Sequence, residues 1–276
     1  MPASLHSPSL DVVREAIDAI LADPTTAAAV VEGCAIDPAG PLTLGPALHR
    51  APHGTYILIA LAGGLPASAL PEPARPAGVR VLDLIERRLI ALPPEIGAFV
   101  DLEALEMEGN ALISLPAEIG RLHKLRRLDI DFNALRTLPA VLFTLAALEE
   151  LEMEGNALSV LPPEIGRLRK LRRLDIDFNN LTALPPELGL LTELEELESS
   201  RNRLVALPDE IGALRRLRVL ELESNALAAL PDSVSQLTAL RQLDLDNNAL
   251  SSLPDLSALP LERLSIDGNP LSDGEE

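Results

Sequence analysis

Leucine-class residues recur along this chain with a fixed spacing. Leu102, Leu125, Leu148, Leu171, Leu194, Leu217 and Leu240 each open a unit of the form L-x-x-L-x-(L/I/M/S)-x-x-N-x-L-x-x-L-P, and successive openers lie 23 residues apart. A less regular copy starts at Val79 and a truncated one at Leu261, giving about nine repeats. A period of this length decides the architecture before local propensity is considered, because each unit is one supersecondary element that cannot bury its apolar face alone.

Within a unit, the fourth and sixth positions alternate at period two, as in Leu105 with Met107 or Leu220 with Leu222. That alternation predicts a short strand with one buried face. The asparagine that follows, at Asn110, Asn133, Asn156, Asn179, Asn202, Asn225, Asn248 and Asn269, stands where the chain leaves the strand. Its amide can satisfy backbone groups of its own and the next turn, so the column reads as structural. Leu-Pro and Ile-Gly, as in residues 115–120 and 161–166, then return the chain along the convex side. The expectation is a continuous solenoid over residues 79–276 with a parallel concave sheet.

Residues 1–78 lack the repeat. Ser9 can cap a helix that places Leu10, Val13, Ile17, Ile20 and Leu21 on one face, and a second short helix is predicted to about Glu32. Thr55 to Leu61 reads as a strand, and the proline-rich stretch from Leu65 to Gly78 reads as a linker. The segment is expected to be a mostly helical N-terminal cap over the first repeat, with a separate small domain as the other reading.

The unit L-x-x-L-x-L-x-x-N-x-L-x-x-L-P-x-x-I-G-x-L-x-x resembles the 23-residue repeat of intracellular leucine-rich-repeat proteins, including Ras-suppressor-like scaffolds, plant Ras-group repeat proteins and bacterial relatives. The resemblance covers about seventy per cent of the chain, from Val79 onward. It implies an α/β solenoid, a right-handed horseshoe with parallel strands on the concave side, and a role in protein recognition. Secreted bacterial ubiquitin ligases carry similar repeats before a catalytic domain with a reactive cysteine. The alternative it raises is therefore the targeting portion of a bacterial effector or enzyme system whose catalytic domain lies outside these residues.

Composition narrows the function classes. The chain holds 42 acidic against 23 basic residues, a formal charge of −19, which opposes binding to nucleic acid or an anionic membrane and favours a basic partner. One cysteine, Cys34, permits no internal disulfide, and the N-terminus lacks a basic stretch followed by an apolar run. Cytoplasmic residence is expected, with secretion by a route lacking a classical signal left open. A monomer is the expected state. Catalytic chemistry is not apparent. No motif surrounds Cys34, and Pro52 between His49 and His53 works against the helix that would bring those two onto one face. No cofactor or metal site is expected.

The informative pattern is on the exposed side of the strands. Counting the opener as position one, positions three, five and seven face away from the core. Position five reads Asp83, Glu106, Asp129, Glu152, Asp175, Glu198, Glu221, Asp244 and Ser265; position seven reads Ile85, Glu108, Asp131, Glu154, Asp177, Ser200, Glu223, Asp246 and Asp267. Two acidic columns therefore run along the sheet. At a strand spacing of about 4.8 Å, adjacent carboxylates repel by about 1 kcal/mol in water and about 3–4 kcal/mol at an effective dielectric near 20.

Position three offsets part of this, since Arg127, Glu150, Arg173 and Glu196 alternate in sign. Basic residues leading into the strands, Arg121 to Arg126, Arg167 to Arg172 and Arg215 to Arg218, predict a basic rim. Phe132 and Phe178 occupy position eight, as packing residues or as exposed anchors. Residues 102–147 and 148–193 are near copies, and that duplication suffices to explain the recurrence of the rings. The expected partner-binding set is Glu106, Glu108, Asp129, Asp131, Phe132, Glu152, Glu154, Asp175, Asp177, Phe178, Glu198, Glu221 and Glu223, recognising a basic protein or peptide without catalysis.

Overall fold

The computed structural model describes residues 42–43, 79–86, 89–92 and 94–271. The helices, strand and linker expected within residues 1–78 lie outside the described residues. Strands β2 (Val81–Asp83), β3 (Ala104–Glu106), β4 (Arg127–Asp129), β5 (Glu150–Glu152), β6 (Arg173–Asp175), β7 (Glu196–Glu198), β8 (Val219–Glu221), β9 (Gln242–Asp244) and β10 (Arg263–Ser265) lie side by side in chain order. Every neighbouring pair is parallel. A two-residue strand β1 (Leu42–Thr43), absent from the sequence expectation, pairs parallel with β2 at the open end.

Register follows from the repeat. Leu105, Leu128, Leu151, Leu174, Leu197, Leu220 and Leu243 face one another in one row, so equal positions of successive units stack directly. These leucines and those at positions one, six and eleven are fully or nearly fully buried in a single core that runs the length of the described solenoid. Each buried leucine contributes about 1.5–3 kcal/mol relative to exposure. No single unit has two apolar layers, so that contribution exists only after neighbours stack.

The asparagine column closes the strand exits. Asn156 donates its amide to the carbonyls of Met153 and Glu154 in its own unit and of Ile130 in the preceding one, while its carbonyl oxygen accepts the Leu135 N–H at 3.0 Å. The same pattern holds at Asn133, Asn179 and Asn202. The amide thus bridges backward to the preceding turn, not forward to the next. The reason is the vector of the strand exit, which carries the side chain under the previous coil.

The convex side is a row of five-residue 3₁₀ helices, Pro94–Ala98, Ala117–Arg121, Ala140–Thr144, Pro163–Arg167, Pro186–Leu190, Asp209–Ala213 and Asp232–Gln236. Proline precedes or opens each one, where no intrahelical N–H is needed. The glycine of Ile-Gly is required by close stacking: a Cβ at Gly189 would lie 2.5 Å from the Glu210 carbonyl oxygen. Phe143 takes that position in one unit and is buried, as is Phe99. Among the described residues no helix is long and apolar enough to cross a membrane.

Candidate protein-binding face

Positions three, five and seven of the strands do lie together on the concave sheet, but they are not equally open. Asp129, Glu152 and Asp175 are buried, at 6 %, 8 % and 5 % exposure. At these three positions the column is not open, whereas Asp83, Glu106, Glu198, Glu221 and Asp244 are half-buried. The cause is the arginine at position three of β4 and β6, Arg127 and Arg173, which lies over its neighbours. Arg127 Nη1 and Nη2 reach Glu150 Oε2 at 2.9 Å and Glu152 Oε2 at 2.6 Å. Arg173 Nε stands 3.3 Å from Glu152 Oε1, while its Nη1 and Nη2 reach Glu196 and Glu198 at 2.8 Å each. Glu152 is therefore held between two guanidinium groups in a network spanning β4 to β7.

The aspartates add backbone satisfaction. Asp129 Oδ1 and Asp175 Oδ1 accept the N–H groups of Asp131 and Asp177 at 3.1 Å. Asp131 Oδ1 in turn accepts the Glu154 N–H of the next unit at 2.7 Å, and Asp177 accepts the Ser200 N–H. Position seven carries no cation of its own among the described residues except at Glu223, where Arg201 lies 3.7 Å away. The carboxyl groups of the face that stand without an ion-pair partner among the described residues include Glu108, Asp131, Glu154 and Asp177.

Protonation reflects this imbalance. Burial, then the Asp129 carboxylate, push Asp131 up to about 8, against the opposing hydrogen bond from Glu154. Burial and Asp175 push Asp177 to about 7 and Glu198 to about 8. Glu106, Glu152, Glu154, Glu221 and Asp244 are also raised, desolvation being the leading cause each time. A desolvated carboxylate among like charges is one whose charged form a cation would stabilise.

Oxygens of Asp129, Asp131 and Glu152 converge within 4.8 Å of one another, as do those of Asp175, Asp177 and Glu198. The Asx turns at Asp129 and Asp175 fold positions five and seven toward one another. The hard oxygens suit a divalent cation by type. Part of that charge is already met by arginine, with Arg127 3.8 Å from Asp129 and 2.6 Å from Glu152.

Phe132 and Phe178 rim the acidic column. They are 48 % and 44 % exposed, at φ of +49° and +50°. Position eight is left-handed in every described unit, and Gly109, Gly155 and Gly268 fill it elsewhere. Placing a phenylalanine there costs about 1–2 kcal/mol. Phe132 leans over Gly155, whose absent side chain leaves it room, and the Arg201 guanidinium sits 4.8 Å from the Phe178 ring. The rings are partly packed along the column yet keep nearly half their surface in solvent.

The rim departs most from expectation. Lys124, Arg126, Arg172 and Arg216 of the rim are ion-paired, and Arg126 and Arg172 belong to a second column, position two, that the sequence reading did not separate out. Arg80 pairs with Glu103 at 2.7 Å, Arg126 with Glu149 at 2.7 Å, and Arg172 with Glu195 at 3.3 Å. Lys124 meets Asp101 at 2.6 Å, and Arg216 meets Glu193. The alternation of sign at 23-residue spacing was the available signal.

Comparison with known proteins places these features in context. The family described as "Leucine-rich repeat region" matches residues 77–180, and "Leucine rich repeat" matches 169–227, 192–250 and 215–271. No curated protein sequence matches the chain. A leucine-rich-repeat protein of Leptospira interrogans is 39 % identical, with a TM-score of 0.69 over 70 % of this chain and 50 % of its own. The Arabidopsis receptor kinase HAESA, solved with a peptide hormone and a co-receptor, is 30 % identical at a TM-score of 0.64, over 71 % of this chain and 35 % of that one. An internalin of Listeria monocytogenes shares the fold at 20 % identity and a TM-score of 0.62, over 71 % and 57 %. The chain spans half the length of the Leptospira chain it matches. With family matches running from residue 77 to residue 271, the chain belongs to the leucine-rich-repeat family.

Proposed function

We propose that this protein is a non-catalytic recognition module that binds a basic protein or peptide on its concave face. The supporting observation is the position-seven column: half-buried carboxyl groups at Glu108, Asp131, Glu154 and Asp177, with no ion-pair partner among the described residues, are bordered by two exposed phenylalanines in a costly backbone conformation. Leucine-rich repeats commonly serve as protein-interaction modules, and the HAESA neighbour is seen with peptide hormone and co-receptor bound. Arginine or lysine of the partner would neutralise the column, while Phe132 and Phe178 would take an apolar side chain, the tightly packed kind of contact that holds complexes together.

The reading is tested by selecting binders to the full chain from a random displayed-peptide library. Selected peptides should be enriched in arginine or lysine with at least one large apolar residue. They should lose affinity for a variant carrying Glu108→Gln, Asp131→Asn, Glu154→Gln and Asp177→Asn. Selection of neutral or acidic peptides, or unchanged binding to that variant together with loss on substitution of Arg167, Lys170 and Arg172, would place recognition elsewhere.

A further inference from the structure

The position-two ladder alternates arginine and glutamate from Arg80 to Glu195 and then breaks, with Arg218 followed by Arg241 before Glu262. At the break lies an open groove of about 400 Å³ lined by Glu195, Arg215, Arg216, Arg218, Ala239 and Arg241. Three of its charges are already matched. Glu195 is taken by Arg172 at 3.3 Å, Arg216 by Glu193, and Arg241 by Glu262 at 3.1 Å. Arg215 touches only the Gln236 amide oxygen, at 3.5 Å, and among the described residues no carboxylate lies within ion-pair distance of Arg218. Two guanidinium charges are thus left over in one concavity, where each preceding pair of units brings its own carboxylate.

We propose that this groove binds a phosphate-class dianion. Two excess guanidinium groups match the charge of a phosphomonoester, and the planar fork of arginine suits its oxygens in pairs. The negative charge that the ladder lacks would be supplied by the phosphate group from outside the chain. A neighbouring groove of about 670 Å³ shares Arg215 and Arg216 but adds Glu193, Asp209 and Glu210, which repel an anion and direct it to the Arg218 side. The formal charge of the whole chain is −19, so a general attraction for anions cannot produce such binding; only the local pair can. None of the groove's lining residues belongs to the acidic columns at positions five and seven, and the proposal stands independently of what those columns bind.

The shared chemistry has two sources, a phosphorylated side chain of a partner or a free phosphate compound. The test is an NMR titration of the full-length protein at low ionic strength, in one arm with inorganic phosphate and in the other with an alanine-flanked phosphoserine peptide and its unphosphorylated twin. The expected result is saturable shifts of the Arg218 and Arg241 backbone amides with at least one phosphate probe, and silence with the unphosphorylated peptide. A tenfold or greater loss should follow from Arg215→Gln with Arg218→Gln, and little change from Arg121→Gln with Arg167→Gln, which removes the same charge outside the groove. Equal affinity for both phosphate probes identifies a site for free phosphate compounds; tighter binding of the phosphopeptide identifies a phosphorylated partner segment. No saturable shift with either probe, or equal weakening by both pairs of substitutions, overturns the proposal. Folding of each variant is checked by its unshifted amide spectrum outside the groove.

Discussion

Individual side chains show where this repeat departs from its own rule, and the departures carry the account. Ser199 stands at position six, where other described units place leucine, isoleucine or methionine, and its buried hydroxyl has no partner. An orphaned buried polar group costs about 1–3 kcal/mol, so Ser199→Ala should raise the thermal midpoint and add about 1 kcal/mol of stability; a fall would mean that the hydroxyl is satisfied. Phe132 and Phe178 depart in the opposite sense, holding a large apolar ring where glycine or asparagine would be unstrained. Asn247 occupies the same position at φ +57°. Replacing both rings, Phe132→Asn with Phe178→Asn, should leave the fold intact and gain about 1 kcal/mol of stability in denaturant melts, while weakening peptide binding. Stability lost with binding retained would make the rings packing residues. Sequence alone left packing and anchoring open for these rings, because exposure at a strand exit depends on the side chain one unit further on, glycine after Phe132 and arginine after Phe178.

The strand, turn and return segment of each unit were legible because they rest on periodicity: alternate apolar positions, asparagine at the exit, proline and glycine at the return. What periodicity did not carry is tilt and reach. It predicted neither the backward direction of the asparagine bridges nor the way Arg127 and Arg173 fold down over Asp129, Glu152 and Asp175. The glycine of the return segment illustrates a spacing that the sequence does encode. Gly189→Ala should destabilise the solenoid by about 1–3 kcal/mol through overpacking against the Glu210 backbone, read as a lowered melting midpoint. An unchanged midpoint would show that the 3₁₀ row can spread. Carboxylate protonation belongs to this scale as well. Asp131, Asp177 and Glu198 titrate near 8, 7 and 8 when folded, against about 4 in an unfolded chain. Between those values the folded state binds protons that the unfolded state does not. Stability therefore falls as pH climbs from about 4 to about 8 and levels beyond. Melts across that range check the sign, and a rise in midpoint toward pH 8 would contradict the crowding of these carboxylates.

For the molecule as a whole, the sheet arranges charge in layers: an arginine-stitched network on positions three and five, an excess of carboxylates on position seven, and a ladder of opposite charges on position two. The acidic columns could be read from residue identity and register. That position three offsets part of their charge could be read as well; which guanidinium reaches which strand could not. That distinction moves the candidate site from both columns to position seven and its phenylalanine border. It also makes a kinetic claim, because unmatched exposed charge acts chiefly on encounter, and salt screens it over about 10 Å at 0.1 M. The most direct measurement is the association rate constant of a library-selected basic peptide as a function of ionic strength. It is compared between the wild-type chain and the variant with Glu108, Asp131, Glu154 and Asp177 replaced by their amides. The account predicts a rate that falls steeply with salt for the wild type and a much flatter dependence for the variant. The same steep dependence in both proteins would contradict it.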